Sequence, residues 1–174
     1  LDGLDTLRLN VMKQTLEQLL ITPETDISRL EWLWTIVEPQ VRTRIERRIE
    51  RRIREARLPV RKTLEAFDFA FQPELSKDMV MELATLRFMD EGVNVLLAGA
   101  SGTGKSHIAL ALALAACTDN RRVLYSTSAD MLARLHASLA DDTLRMALAP
   151  YVRAELLIVD EVGLEQVERK SPLR

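Results

Sequence analysis

The sequence predicts an α/β fold, with a parallel sheet flanked by helices and a helical region in front of it. Three observations predict this. Short apolar runs at Asn94–Ala98, Arg122–Ser126 and Leu156–Asp160 stand about 20–30 residues apart with helical patterns between them, which is the spacing of strand–helix–strand units in a parallel sheet. A glycine-rich stretch directly follows the first run and opens a helix. Before about residue 57, apolar residues recur only at helical spacing.

The elements follow in order. Leu4, Leu7, Val11, Leu16, Leu19 and Leu20 recur close to every 3.6 residues and predict one amphipathic helix that stops before Pro23. Ile27–Val37 predicts a second helix, and Pro39 marks a break or the first turn of a third. The third covers about 40–57, where Val41, Ile45, Ile49 and Ile53 repeat every four residues with Arg and Glu between them, and Pro59 ends it. A linker near 58–72 leads to a helix at Leu75–Phe88, a turn at Asp90-Glu91-Gly92 and a strand at Asn94–Ala98. Then come a helix over about 104–117, a strand at Arg122–Ser126, helices at Ala129–Leu139 and Thr143–Val152, and a strand at Leu156–Asp160.

Composition narrows the function classes. The chain has 174 residues, 47 % of them apolar and 29 % charged, which suits a globular domain and is too apolar for disorder. It has no run of about 18 apolar residues to span a membrane and no basic-then-apolar start that would read as a signal peptide. Cys117 is the only cysteine, so a disulfide within the chain and a cysteine-based zinc site are excluded, and the expected compartment is the cytoplasm. The net charge of −2 hides an asymmetry, since residues 41–62 hold 10 basic residues against 3 acidic. Such a segment points to nucleic acid or another acidic partner.

Gly99-Ala100-Ser101-Gly102-Thr103-Gly104-Lys105-Ser106 fits G-x-x-x-x-G-K-[ST], between an apolar strand and a helix start. Glycines let the backbone wrap with its N–H groups inward, and the helix N-terminus adds its dipole. Lys105 would supply a charge to the β/γ-phosphates and Ser106 a hydroxyl to Mg²⁺. The second piece is LLIVDE, an apolar strand ending in Asp160 and Glu161, 54 residues after Ser106. Asp160 would hold Mg²⁺ through its water shell, and Glu161 would polarise the attacking water. The two motifs together predict an ATP site of the P-loop type, with Lys105, Asp160 and Glu161 as its catalytic residues.

With these motifs and the stretch LPVRKTLEAFDFAFQP about thirty residues upstream of the loop, the chain resembles the IstB-like transposition helper ATPases. These are AAA+ proteins encoded beside the transposase of certain insertion sequences, and are relatives of the DnaC helicase loaders. The resemblance runs through LDGLDTLRLNVMKQTLEQLL, RRIREARLPVRKTLEAFDF, LATLRF, GKSHIA, STSADML and IVDEVG. It implies a DNA-binding helical region over 1–58 and a partial AAA+ core over 59–174, incomplete at its C-terminus. In that fold a sensor strand lies between the P-loop strand and the strand ending in Asp160-Glu161, and residues 162–174 are too charged to stand in for it.

The resemblance implies ATP and Mg²⁺ as cofactors, duplex DNA and a transposase as partners, and assembly of several copies on DNA. Arg44, Arg47, Arg48, Arg51, Arg52 and Arg54 are then the candidate phosphate contacts, and Arg61 and Lys62 could extend the patch. Read without the resemblance, the same helix is a solvated surface supported by pairs such as Glu50–Arg54. Two other functions stay open: a helicase loader acting in DNA replication, with a replicative helicase as partner, and an inert remnant of a transposable element. The N-terminal region has no cysteine and many arginines, which favours DNA over the loader reading.

Bland roles are expected elsewhere. Phe67, Phe69 and Phe71 read as linker residues packed on the core, with a place against the adenine as the other reading. His107 reads as structural or exposed, Cys117 as a small buried residue, and Thr127 and Ser128 as caps of the following helix. Trp32 and Trp34, two residues apart, cannot share one helix face, so one belongs in the core and the other at a partner contact.

Overall fold

The helix behind the glycine-rich stretch is apolar on every side, and such a helix has to be buried all round. In the computed structural model, which describes residues 1–21 and 28–163, it is α6, Lys105–Thr118, with Ile108, Leu110, Ala111, Leu112, Ala113, Ala116 and Cys117 buried. Before it come α1 (Asp2–Thr6), α2 (Asn10–Ile21), α3 (Arg29–Ala56), a 3-10 turn at Phe69–Phe71, α4 (Lys77–Ala84) and α5 (Arg87–Asp90). After it come β1 (Val123–Thr127), α7 (Ser128–Ala140), α8 (Leu144–Arg153) and β2 (Leu156–Asp160). The chain divides into two compact units, 1–50 and 51–174, with the division inside α3.

In the first unit, the single helix predicted from Leu4 to Leu20 is two. Arg8 turns left-handed at φ 54, Leu9 N–H bonds back to Leu4 O at 2.8 Å and Arg8 N–H to Asp5 O at 2.9 Å. That pair of bonds is a Schellman ending, and α2 starts afresh at Asn10. The two helices predicted on either side of Pro39 are one, α3, with Pro39 inside it. Its start is a capping box: Ser28 N–H donates to Glu31 Oε2 at 2.8 Å, and Glu31 N–H to Ser28 Oγ at 3.2 Å. The predicted start at Ile27, like Pro23, lies outside the described residues.

An interior proline costs a helix about 3 kcal/mol, and packing on both sides of Pro39 opposes that cost. Ile36 is buried, and so is Gln40, whose Oε1 accepts from Val11 N–H at 3.1 Å and Met12 N–H at 3.2 Å, two N-terminal amides of α2. Trp32 and Trp34 are both exposed, so neither is core. Among the described residues of Ile27–Val37, Ile36 is the buried one.

In the second unit, the predicted helix Leu75–Phe88 breaks at Leu86, which adopts φ 63 and separates α4 from α5. A left-handed leucine is strained by about 1–2 kcal/mol. Burial of the Leu86 side chain, worth about 1.5–3 kcal/mol, offsets this. Val80 of α4 and Ile108 and Leu112 of α6 form one core cluster, with Leu64, Phe67, Phe69, Leu75, Leu83, Ala84 and Leu97 packed around them.

Among the described residues the sheet has two parallel strands, β1 and β2, in register from Val123↔Leu156 to Thr127↔Asp160. Glu155 starts the pairing. Its main-chain N–H donates to Arg122 O at 2.7 Å, and its carboxylate accepts from Arg122 N–H at 3.0 Å. The predicted strand at Asn94–Ala98 is not formed: these residues join no ladder. These residues and β2 line one groove, and a strand forms only where a neighbour stands at ladder distance.

Candidate nucleotide-binding site

The glycine-rich loop is built by backbone that only glycine adopts freely. Gly102 and Gly104 have φ +79 and +87, in the left-handed region that disfavours side chains. Within the loop, Thr103 Oγ1 donates to Ala100 O at 2.9 Å. Lys105 Nζ donates to the same carbonyl at 2.6 Å, so its ammonium lies folded over the loop. Gly104 caps α6 without a side-chain bond, so the cap itself takes up none of the first amides of the helix.

One groove of about 1140 Å³ is lined by Gly99, Gly102, Lys105, Ser106, Asp160 and Glu161 among others. Ser101 and Gly104 also line it. The loop and the carboxylates at the end of β2, more than fifty residues apart in sequence, therefore open on the same space. Asp160 accepts from Tyr125 Oη at 3.1 Å and from Glu161 N–H at 2.9 Å. Glu161 is a left-handed non-glycine residue at φ 59, with its carbonyl held by Ser128 Oγ at 2.9 Å. Such strain costs about 1–3 kcal/mol and collects at functional sites. Burial first, and then the bond to Asp160, push the Tyr125 hydroxyl up to about 12, so it is a donor at neutral pH.

The linker reaches the back of the loop. Phe67 lies against Gly104, and its ring meets Phe69 (centroids 4.9 Å apart) and His107 (5.2 Å) edge-on. His107 Nε2 donates to Thr63 O at 2.8 Å, a structural role. Phe67 and Phe69 pack on the core, whereas Phe71 is exposed. Thr127 caps α7 through Asp130 N–H at 3.1 Å, but Ser128 is turned to Glu161 instead. Tyr125 and Ser128 escaped the sequence reading as neighbours of the carboxylates, because only the register of β1 on β2 brings them there.

Among the candidate DNA contacts, Arg44, Arg47 and Arg48 of the first unit are exposed, as are Arg51 and Arg54 of the second. Arg52 differs. It is half-buried, its Nε donates to Asn120 Oδ1 at 3.2 Å, and its Nη1 lies 3.6 Å from Glu55.

Comparison with known proteins decides the family. The family of IstB-like ATP-binding proteins matches residues 3–172. The chain belongs to the IstB-like ATP-binding family. It is 34 % identical over 169 residues to an IS21 insertion-sequence putative ATP-binding protein of Pseudomonas aeruginosa, covering 97 % of this chain and 64 % of that one. It is 31 % identical to the IS5376 counterpart of Geobacillus stearothermophilus, over 84 % of this chain and 58 % of the relative. A putative insertion-sequence ATP-binding protein of Sinorhizobium fredii is 39 % identical over 76 % of this chain and 45 % of its own length. The chain thus spans about three-fifths of the length of the first two relatives. The IstB-like match supports an ATP-binding domain of the P-loop class. No helix among the described residues is long and apolar enough to cross a membrane.

Proposed function

We propose that this IstB-like chain is the nucleotide-binding part of a helper protein for insertion-sequence transposition. It binds ATP with Mg²⁺, hydrolyses it in the full-length protein, and holds duplex DNA as a target for a transposase, acting in the cytoplasm as several copies on DNA. The observation that carries the reading is the shared groove, lined by Lys105 and Ser106 of the loop and by Asp160 and Glu161 of β2.

The donor set fits the ligands. Loop amides and the unbonded start of α6 suit phosphate oxygens, and the Lys105 ammonium can exchange the Ala100 carbonyl for the β/γ-phosphates. Mg²⁺ is ordinarily held by one or two carboxylates together with the phosphates. Ser106 and Asp160 would hold it here, and when bound it neutralises charge that develops on the transferred phosphoryl group. Glu161 orients and deprotonates the attacking water. The exposed arginines of α3, Arg44, Arg47, Arg48, Arg51 and Arg54, neutralise DNA phosphates. Arg52, bonded to Asn120, serves the fold.

Fluorescent-ATP titration of Lys105→Ala tests the phosphate role, and binding should be lost. In full-length protein, Glu161→Gln should keep ATP bound and slow turnover by roughly 100-fold or more. Unchanged affinity in the first variant would show that the loop does not bind phosphate. Wild-type turnover in the second would move water activation to another residue.

A further inference from the structure

The end of β1 does more than support the end of β2. Aligned residues of parallel strands share a face, so the register Tyr125↔Ile158 and Thr127↔Asp160 puts the Tyr125 ring and the Asp160 carboxylate on one face, two residues apart along the strand. The phenol spans that offset and bonds Asp160 Oδ2 at 3.1 Å, while Oδ1 is taken by Glu161 N–H at 2.9 Å. With a donor on each oxygen, the orientation of the carboxylate plane is fixed. The next contact fixes the neighbouring residue: buried Ser128, at the start of α7, holds Glu161 O at 2.9 Å, in a turn that a non-glycine residue does not adopt freely.

We propose that Tyr125 is a positioning residue for Asp160, aiming its carboxylate at the metal that accompanies the nucleotide. The proposal rests on the ATP·Mg²⁺ reading above. Removing a group that orients a metal-binding carboxylate ordinarily weakens the metal by about 10- to 100-fold, whereas a tyrosine that only packs would lose little on conversion to phenylalanine.

The test uses full-length protein with Tyr125→Phe, which keeps the ring and removes only the hydroxyl, and with Asp160→Asn as reference. Mn²⁺ serves as the metal probe, its affinity read by electron paramagnetic resonance in the presence of ATP. Metal-free affinity for a fluorescent ATP analogue is read alongside. The expected result for Tyr125→Phe is Mn²⁺ affinity at least about tenfold weaker, with metal-free ATP affinity within about twofold of wild type. Wild-type Mn²⁺ affinity in Tyr125→Phe, when Asp160→Asn has lost it, overturns the positioning role and leaves the ATP reading standing. So does an equal loss of metal-free ATP affinity, which reports general loosening of the site. Mn²⁺ affinity that survives Asp160→Asn overturns both the positioning role and the metal role of Asp160. A wild-type protein that binds no nucleotide overturns the ATP reading, and the proposal with it.

Discussion

Gly104→Ala should loosen the second unit through two separable effects. The backbone at Gly104 has φ +87, and a side chain in left-handed backbone costs about 1–2 kcal/mol. The new Cβ would also stand 2.5 Å from Phe67 Cε2 and 3.0 Å from Cζ. The ring must retreat by about 1 Å, and it is wedged against Phe69, His107 and the core formed by Val80, Ile108 and Leu112. Overpacking of that kind costs about 1–3 kcal/mol. Together the effects amount to about 2–5 kcal/mol, or roughly 30- to 4000-fold in the open population at about 1.4 kcal/mol per decade. Cys117, fully buried thirteen residues along the same helix, gives a local readout. Its labelling by a thiol reagent follows the open population when reclosing is fast. In a Phe67→Leu background the ring edge is gone, so the penalty of Gly104→Ala should shrink to the backbone part, leaving a coupling of about 1–3 kcal/mol. Equal acceleration in both backgrounds would refute the contact between linker and loop, and no acceleration in either would refute the loop conformation itself.

Three further outcomes follow from single side chains. Burial pushes the Cys117 thiol up to about 11, so the native protein should react with a thiol dye at least about 100-fold more slowly than the urea-unfolded chain at pH 8; equal rates would deny the burial. The carboxyl of Glu155 is held below the ordinary 4.5 by the Arg122 amide and then by the Arg122 and Arg121 guanidinium groups. A depressed carboxylate stabilises fully above its unfolded value and stops doing so as pH falls through the folded one, so Glu155→Gln should flatten the acid limb of stability against pH below about 4.5, and an unchanged limb would remove this ion pair from the account. Replacing Arg44, Arg47, Arg48 and Arg51 with Glu should weaken duplex DNA binding by full-length protein on all sequences alike. It should also flatten the slope of log K against log salt by roughly 0.9 for every DNA phosphate that is no longer neutralised. Anisotropy at several salt concentrations reads the slope, and an unchanged one returns the helix to a solvated surface.

The parts of this protein that can be read from its sequence are those whose chemistry is local. The loop Gly99–Ser106 states its own geometry, because left-handed turns call for glycine and Gly102 and Gly104 stand where they occur. LLIVD is a strand, with the bounds its apolar run suggests. The missed elements depend on partners far along the chain. Pro39 argues for a break, and the break is overridden by Gln40 reaching amides 28 and 29 residues away. Leu86 looks helical in its own neighbourhood, and turns left-handed in the structure with its side chain buried.

Asn94–Ala98 is the most instructive case. Its residue types are as strand-like as those of β2, yet strand formation is a property of pairs, and among the described residues it joins no ladder. The same dependence explains why the sequence puts forward Lys105 and Asp160 as candidate site residues and not Tyr125. A P-loop lysine and a carboxylate at a strand end declare themselves by type and place. A tyrosine in an apolar strand reads as core until the register of β1 on β2 sets its hydroxyl beside Asp160, 35 residues away. In the proposed nucleotide site, then, the candidates for touching the nucleotide can be found by motif. The proposed positioning contacts, Tyr125 on Asp160 and Ser128 on Glu161, follow only from strand order and register.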